Sequence, residues 1–396
     1  MSEFNSYNIK RRIFSHEELS ADKSIRSIGL WDLQNWNDIC TWYKAAKRFP
    51  LSRSSVSDVR DAILRPSYFA AYELENPLII IYRWPSGELR YFLLSAEGNL
   101  IEPQEASLWD SAFPFLSYGS HGGKLTELAV PRSCIPVDVD NWIWYPNHSN
   151  YTHFFFDAFV QVAMAQDRLG NEYINKFFLP LIAAPPAWQN ELLVRLSSQK
   201  YLHPRSNPDQ PFQVFRVNKL LLPVLSHRAI ALEWLRSYLA SSFKTTEPLD
   251  LFTAQNSIIM ATRYDARRRR IVNISEIEDF ILSLGGNLVD PSTLSIAEKL
   301  TAFQHCRVCI GESSGCINFA LFAPRYGHLV ALTDPTVVDR IEFVPGGWDY
   351  VTGYAHRSSF VVGEDPAPLL GSPLGSASYS LSIIRRLLGE SAPLNH

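Results

Sequence analysis

His153 and Asp157 stand four residues apart in the segment Asn150-Tyr151-Thr152-His153-Phe154-Phe155-Phe156-Asp157. On a helix that spacing puts an imidazole and a carboxylate on one face. Either group can take a proton from a hydroxyl nucleophile. The plainer alternative is a helix that uses both as capping and surface groups while the three phenylalanines fill a core. Far along the chain, Arg263 ends an apolar run, and the segment Gly311-Glu312-Ser313-Ser314-Gly315-Cys316-Ile317-Asn318 joins an apolar run to a helical one. Small residues in such a loop let backbone N–H groups approach an anion, and a helix N-terminus adds positive potential. An arginine fork matches phosphate oxygens. Together the two segments predict a site in a cleft between two domains, with a proton acceptor on one wall and a phosphate grip on the other. A tight structural turn and a solvated basic loop are the alternatives for the second segment.

Other constellations carry less. Asp138 and Asp140 form an Asp-x-Asp pair of the kind that holds a divalent metal. The pair precedes a strand and reads as a loop. Cys306, Cys309 and Cys316 resemble a zinc cluster only superficially. Cys309 lies inside an apolar strand and no paired histidines follow, so buried thiols are expected and no metal site. Gly122-Gly123-Lys124 misses the phosphate-loop pattern, because Tyr118 stands where a glycine is needed and Leu125 follows the lysine. The run Arg267 to Arg270 is a single short basic cluster, and nucleic acid is not an expected partner.

These residues need elements to position them. Leu78 to Tyr82 and Leu89 to Leu94 flank Pro85-Ser86-Gly87 and predict a hairpin, with a further turn at Glu97-Gly98-Asn99. Trp31, Trp36 and Trp42 lie in a helical-looking stretch. Trp142 to Tyr145 predicts a strand. A helix is expected from Tyr151 to Leu169, closed by Gly170. Phe177 to Ala184 predicts a strand, and Ala187 to Ser197 a helix started by the double proline. Phe212 to Val217 and Leu220 to Leu225 read as strands, His227 to Ala240 as a helix and Lys244 to Asp250 as linker.

From Ser257 the pattern becomes regular. Strands are expected at Ser257–Ala261, Asn287–Val289, Arg307–Ile310 and Leu329–Leu332. Helices are expected at Ser275–Leu284, Ser295–His305 and Cys316–Phe322. Ser275 with Glu278, and Ser295 with Glu298, are spaced as capping boxes, and Gly285-Gly286 ends the first of these helices. This alternation predicts βαβ units and a parallel sheet, whose ligands bind at the carboxyl ends of the strands. The tail ends in a helix near Ser378–Leu388 with room to pack on the first domain.

The chain of 396 residues is long enough for two or three domains. At 46% hydrophobic, 19% charged and net charge -3, it lacks a global pull toward nucleic acid or anionic lipid. Five cysteines without a disulfide framework fit a reducing compartment. A polar, basic start and no apolar run near the ~20 residues of a membrane span predict a soluble, cytoplasmic protein. That is compatible with peripheral contact at the inner membrane.

The Asn150 to Asp157 segment resembles the Asn-x-x-His-x-x-x-Asp/Glu motif of glycosyltransferase family 61, whose bacterial members are of the capsular polysaccharide biosynthesis type. Met260-Ala261-Thr262-Arg263 is similar to the family's strand ending in Arg, and Arg269-Arg270-Ile271-Val272-Asn273 to its Arg-Arg-Ile-x-Asn segment. Leu294 to Glu298 and Ile310 to Phe322 follow in order. Ser313-Ser314 departs from the family's His-Gly or Ser-Gly, Phe319 stands at its Asn with Asn318 beside it, and Lys299 replaces its Gln. The resemblance covers about Asn141 to Asp334.

It implies an α/β, GT-B-like fold: two Rossmann-like domains facing a cleft, here with a small β-rich N-terminal extension. The corresponding divisions are residues 1–130, 131–245 (acceptor side), 246–370 (nucleotide-sugar side) and a tail at 371–396 that crosses back. It implies an inverting glycosyltransferase with a nucleotide-sugar donor, a glycan or lipid-linked glycan acceptor and no obligatory metal or cofactor. Asp157 is the expected base, with His153 orienting or replacing it. Arg263, Gly311, Ser313, Ser314, Gly315 and Asn318 are expected on the donor diphosphate. Asn273 and Glu298 are expected on its phosphate or ribose side, and Asn150 on the acceptor side or in a structural role. The alternative is a catalytically inactive nucleotide-sugar-binding or scaffold protein of the same fold.

Overall fold

The computed structural model describes residues 4–8, 10, 12–13, 16–32, 68–83, 89–101, 116–118, 125–146, 154–181, 184–196, 200–202, 211–225, 228–243, 258–262, 271–303, 306–312, 322, 328–333, 357–367 and 376–389. The chain divides into two units. One holds Met1–Leu33 and Ser67–Ser226, the other Gln34–Pro66 and His227–His396. Each is a mixture of helices and sheets, so the chain is α/β.

The first unit contains strands β1 (Phe4–Asn8), β2 (Arg12–Ile13), β3 (Ile25–Asp32), β4 (Tyr68–Glu75), β5 (Leu78–Arg83), β6 (Leu89–Leu94), β7 (Leu100–Ile101), β8 (Leu116–Tyr118), β9 (Leu125–Pro131), β10 (Val137–Val139), β11 (Trp142–Ile143), β12 (Phe178–Pro180), β13 (Lys200–Leu202), β14 (Phe212–Val217) and β15 (Lys219–Leu225). One six-stranded sheet runs β10-β14-β5-β6-β7-β2 and another runs β13-β12-β11-β15-β4-β3. Strands from before and after residue 130 share both sheets. The expected hairpin is present as β5 and β6, with Arg83 opposite Leu89. Gly98 takes φ 82 in the following turn, which suits glycine. Trp31 lies in β3, not in a helix, and its ring packs on Phe69 of β4.

Three neighbouring chains pass from one sheet to the other side by side: β4 into β5, β10 into β11, and β14 into β15. They bend on a common line. Asn76 adopts φ 51, a conformation Asn tolerates, and Pro77 after it has no N–H to give a ladder. The Asn76 N–H donates to Asn218 O at 3.0 Å, Val217 N–H to Pro77 O at 3.0 Å, and Asn218 N–H to Val139 O at 3.0 Å. The Asn218 side chain adds a bond to Asn141 Oδ1 at 3.0 Å. The backbone polar groups at the bend are therefore satisfied across it.

Within the second sheet, β13, β12, β11 and β15 are mutually parallel. In chain order they read 3-2-1-4, the order of the first half of a doubly wound sheet. Residues Phe69 to Leu74 of β4 and Leu220 to Leu225 of β15 are buried along their whole length, as expected for strands covered on both faces.

Two buried carboxylates tie this unit together. Asp22 is 1% exposed and accepts from Ser24 N–H (3.0 Å), Ser24 Oγ (2.7 Å), Ser95 Oγ (2.7 Å) and Asn99 Nδ2 (2.7 Å). It joins the turn before β3 to the turn after β6. Burial pushes its carboxyl pKa up, but the hydrogen bonds from Asn99, Ser24 and Ser95 outweigh that and hold it below the ordinary range. Glu73 on β4 accepts from the Tyr173 hydroxyl and the Arg26 guanidinium. Burial raises its pKa as well, and those two partners again lower it.

The second unit is built on five parallel strands: β16 (Ile258–Ala261), β17 (Asn287–Val289), β18 (Val308–Glu312), β19 (His328–Thr333) and β20 (Arg357–Val362). They lie in the order β17-β16-β18-β19-β20. Numbered along the chain this is 2-1-3-4-5, a doubly wound order. Met260, Val308, Ile310, Val330 and Leu332 meet Ile277 and Ile281 of the helix Ile274–Ser283, and Ile384 and Leu388 of the helix Leu381–Gly389, in one core. Ile259, Cys309 and Ala331 alternate to the opposite face and are buried too. The tail helix thus spends its apolar face on the second unit's own core.

Gly285 at φ 74 and Gly286 close the helix Ile274–Ser283, as the sequence predicts. A Cβ on Gly286 would stand 2.6 Å from Ile281 Cγ2 and 3.0 Å from Ile281 O, so only glycine fits without a shift. No helix among the described residues is long and apolar enough to cross a membrane. The expected turn at 85–87, the linker at 244–250, the basic loop at 263–270, most of the loop at 117–124 and all but Phe322 of the helix at 316–322 lie outside the described residues.

A pH dependence follows from the two depressed carboxyls. Their stabilising contribution is complete above the ordinary carboxylate pKa and is lost as pH falls through the lower, folded value. Asp22→Ala is expected to reduce unfolding free energy by about 2–3 kcal/mol at pH 7, since it removes hydrogen bonds to a charged, buried acceptor. The gap between wild type and variant should narrow below about pH 4. Urea unfolding at pH 7 and pH 3.5 measures it; a gap independent of pH would contradict the assignment.

Candidate functional site

In the first unit, the chain leaves the carboxyl end of β11 and reaches the predicted helix through residues 144–153. β11 lies between β12 and β15, the strands numbered 2 and 4 in the parallel order. From β11 the chain goes on to β12, and the carboxyl ends of parallel strands in doubly wound sheets are where ligands bind. The motif from Asn150 to Asp157 follows that end. Asn150 and His153 lie outside the described residues; Asp157 has its backbone within them.

The helix is not α-helical from its start. Phe154–Phe159 is a π-helical turn, and Val160–Leu169 continues as α-helix. In a π-turn residues five apart stack, and the Phe154 and Phe159 rings are 5.8 Å apart and inclined by 20°. Phe155 stacks on Trp188, and Phe154 meets Tyr145 and Trp188 edge-on. Phe154, Phe155 and Phe159 are each 0% exposed. Three large rings beside one another demand more room per turn than an α-helix gives, and the wider turn supplies it. The backbone of Asp157 lies in this turn and not in the α-helix expected to hold it. Such turns concentrate at functional sites. Gly170 closes the helix at φ 80, as expected.

In the second unit, the strands numbered 1 and 3 are β16 and β18, paired with Ala261 opposite Gly311. Their connections depart in opposite directions. Arg263 is the second residue after β16. Gly311 and Glu312 are the last two residues of β18 and are buried; they extend the strand where a loop was expected. Arg263, Ser313, Ser314, Gly315 and Asn318 lie outside the described residues. The sequence positions of the predicted donor residues thus follow the two strands that flank the switch.

Asn273 and Glu298 are engaged at helix starts. Asn273 is the N-cap of Ile274–Ser283, where Ser275 with Glu278 was expected. Its side chain does not cap. It donates to Tyr379 O at 2.8 Å and accepts from Tyr379 N–H at 2.9 Å. This two-way bond fastens the start of one helix to the chain just before Leu381–Gly389. Asn wins at this position because an amide offers a donor and an acceptor together. Glu298 completes the predicted capping box: Ser295 N–H donates to Glu298 Oε2 at 2.8 Å and Glu298 N–H to Ser295 Oγ at 3.2 Å. These bonds hold its carboxyl below the ordinary range.

Asp138 lies in strand β10, not a loop, opposite Arg216 of β14 in register and at 3.4 Å. Cys306 and Cys309 are buried free thiols, as expected; burial pushes the Cys306 thiol well up. Among the described residues no three His, Cys, Asp or Glu side chains gather as a metal site. The sequence reading passed over Thr262, which directly precedes Arg263. It is 2% exposed, donates its N–H to Val289 O at 2.8 Å, and its hydroxyl has no hydrogen-bond partner among the described residues.

Residues 151–330 match the family model of Glycosyltransferase 61. The match begins directly after Asn150 and runs into β19, and it supports the family resemblance over somewhat less than half of the chain. No curated protein matched the chain.

The Asn273 bond predicts a separable stability effect. Asn273→Ala is expected to lower Tm by several degrees and to expose the chain before Leu381 to limited proteolysis, because two buried-side hydrogen bonds vanish. Unchanged Tm and an unchanged digestion pattern would contradict this.

Proposed function

We propose that this protein is an inverting glycosyltransferase. It moves a sugar from a nucleotide-sugar donor to a hydroxyl of a glycan or lipid-linked glycan acceptor in bacterial surface polysaccharide synthesis, with no obligatory metal. One observation carries the reading. The family match covers residues 151–330, and in sequence the segments expected to act come after β11, β16 and β18, strands of the parallel parts of two sheets. A GT-B arrangement, two Rossmann-like domains across a cleft, is the framework this reading uses.

In a single displacement, the acceptor oxygen forms a bond to the anomeric carbon. The bond from that carbon to the diphosphate oxygen breaks, and its electron pair leaves on the nucleoside diphosphate. The acceptor hydroxyl proton passes to the Asp157 carboxylate, with His153 orienting it or taking the proton in its place. The charge that grows on the leaving group needs fixed positive potential. Arg263, the backbone at Gly311 to Gly315 and the segment through Asn318 supply it in this proposal. The bonds of Asn273 and Glu298 favour a positioning role: both fix helix starts at the carboxyl end of the sheet. Asn150 holds the acceptor side of the helix.

Asp157→Asn is expected to lower transfer at least about a thousandfold while nucleotide binding persists, since a general base contributes on the order of 10²–10⁴. Activity is followed by release of nucleoside diphosphate from a panel of nucleotide sugars. Turnover within tenfold of wild type in this variant would remove Asp157 from the role of base.

A further inference from the structure

Tyr145, Phe154, Phe155, Phe159 and Trp188 form one aromatic cluster at the carboxyl ends of β11 and β12. Tyr145 comes two residues after β11, the three phenylalanines lie in the π-turn beyond it, and Trp188 is the second residue of the helix Ala187–Leu193 after β12. β11 and β12 are parallel, so the π-turn and this helix start from the same edge of the sheet. The Trp188 ring stacks on Phe155, with centroids 6.2 Å apart and planes inclined by 21°, and meets Phe154 at 5.0 Å and 81°. Phe154 and Phe155 directly follow His153 in the chain. Tyr145 and the three phenylalanines are buried; Trp188 is the member of the cluster that reaches the surface. Its helix is a rigid mount. Pro186, at φ -61, sets the start, and Leu192 and Leu193 are fully buried. A leucine would cover apolar neighbours without leaving a large ring partly in water. A part-exposed indole offers a flat apolar surface that loses little freedom when a ligand covers it.

A pyranose with equatorial hydroxyls is polar around its rim and apolar on the faces where its axial C–H groups point. Such a face gives up water readily to an aromatic ring, while the rim hydroxyls keep theirs or find polar partners. We propose that Trp188 is a stacking platform for a pyranose ring of the acceptor glycan, at the sheet edge that the Asn150–His153 segment follows. The proposal rests on the proposed function and names a contact and a sugar class for its acceptor.

The test uses the full chain with Trp188→Leu, which keeps an apolar cover on Phe155, and Trp188→Phe, which keeps a flat ring. Saturation-transfer NMR is run with methyl β-D-glucopyranoside, methyl β-D-galactopyranoside and methyl N-acetyl-β-D-glucosaminide. Release of nucleoside diphosphate from a panel of nucleotide sugars is followed with and without each glycoside. In wild type, saturation is expected to concentrate on the axial hydrogens of one ring face, to vanish in Trp188→Leu and to persist in Trp188→Phe. For any glycoside that accelerates release, Trp188→Leu should raise its KM about tenfold, while the KM of the nucleotide sugar and the rate of transfer to water stay at wild-type values. Saturation that is the same in wild type and Trp188→Leu would overturn the proposal. So would a fall of Tm and of every kinetic constant together in both variants, the mark of a ring that only packs. Wild type that releases nucleoside diphosphate and binds none of the glycosides would overturn the platform and leave the transferase reading standing. Wild type that releases none from any nucleotide sugar would remove the transferase reading, and glycoside saturation that still depends on Trp188 would then keep the platform as a sugar-binding site.

Discussion

Strands β16 and β18 lie side by side and parallel, yet the chain leaves them in opposite directions. From β16 it travels to β17 on one side, and from β18 to β19 on the other. Two such connections cannot both cover the gap between the strand ends, and ligands of doubly wound sheets bind in the crevice at such a point. The arrangement of functional positions in the second unit depends on this constraint. It starts the segments after Ala261 and after Glu312 from the same edge of the sheet. In the first unit β11 and β15 are parallel neighbours, and the motif ending in Asp157 comes after β11 in the chain.

The crevice is only useful if its walls do not move. In the second unit both faces of the sheet are buried, and the helices Ile274–Ser283 and Leu381–Gly389 share one core with β16, β18 and β19. Asn273 fixes the first helix to the chain entering the second by two hydrogen bonds with Tyr379. Burial of this apolar surface supplies the drive, at roughly 25 cal/mol per Å², and the polar tie sets the register of the helix ends. In the first unit, Asp22 and Glu73 perform the comparable service between turns and strands that are far apart in sequence.

Much of this was legible from residue patterns. Short apolar runs, flanked by turn residues at the hairpin, located β5, β6 and β14 to β16. Gly170 and Gly285-Gly286 located helix ends, because positive φ and close approach restrict the residue type there. Ser295 and Glu298 gave a helix start through a local, reciprocal bond. Sheet order was not legible, because pairing of β11 with β15, or of β4 with β15, joins residues far apart in the chain. The π-turn at Phe154–Phe159 escaped for a related reason: it answers to Trp188 and Tyr145, which the local sequence does not show. Ser275 was taken for an N-cap on spacing alone, while Asn273 holds that place because Tyr379 returns to meet it. Thr262 read as one more strand residue. That its buried hydroxyl has no hydrogen-bond partner among the described residues is a property of the folded chain.

The central claim is that the carboxyl edge of β16 and β18 receives the nucleotide sugar. Hydrogen exchange followed by mass spectrometry, with and without a nucleoside diphosphate at saturating concentration, tests it most directly. Slower exchange in peptides covering residues 258–273 and 308–318, with the rest of the β16–β20 sheet unchanged, is the predicted result. Protection confined to other segments, with both of these peptides unaffected by a ligand that demonstrably binds, would contradict the account.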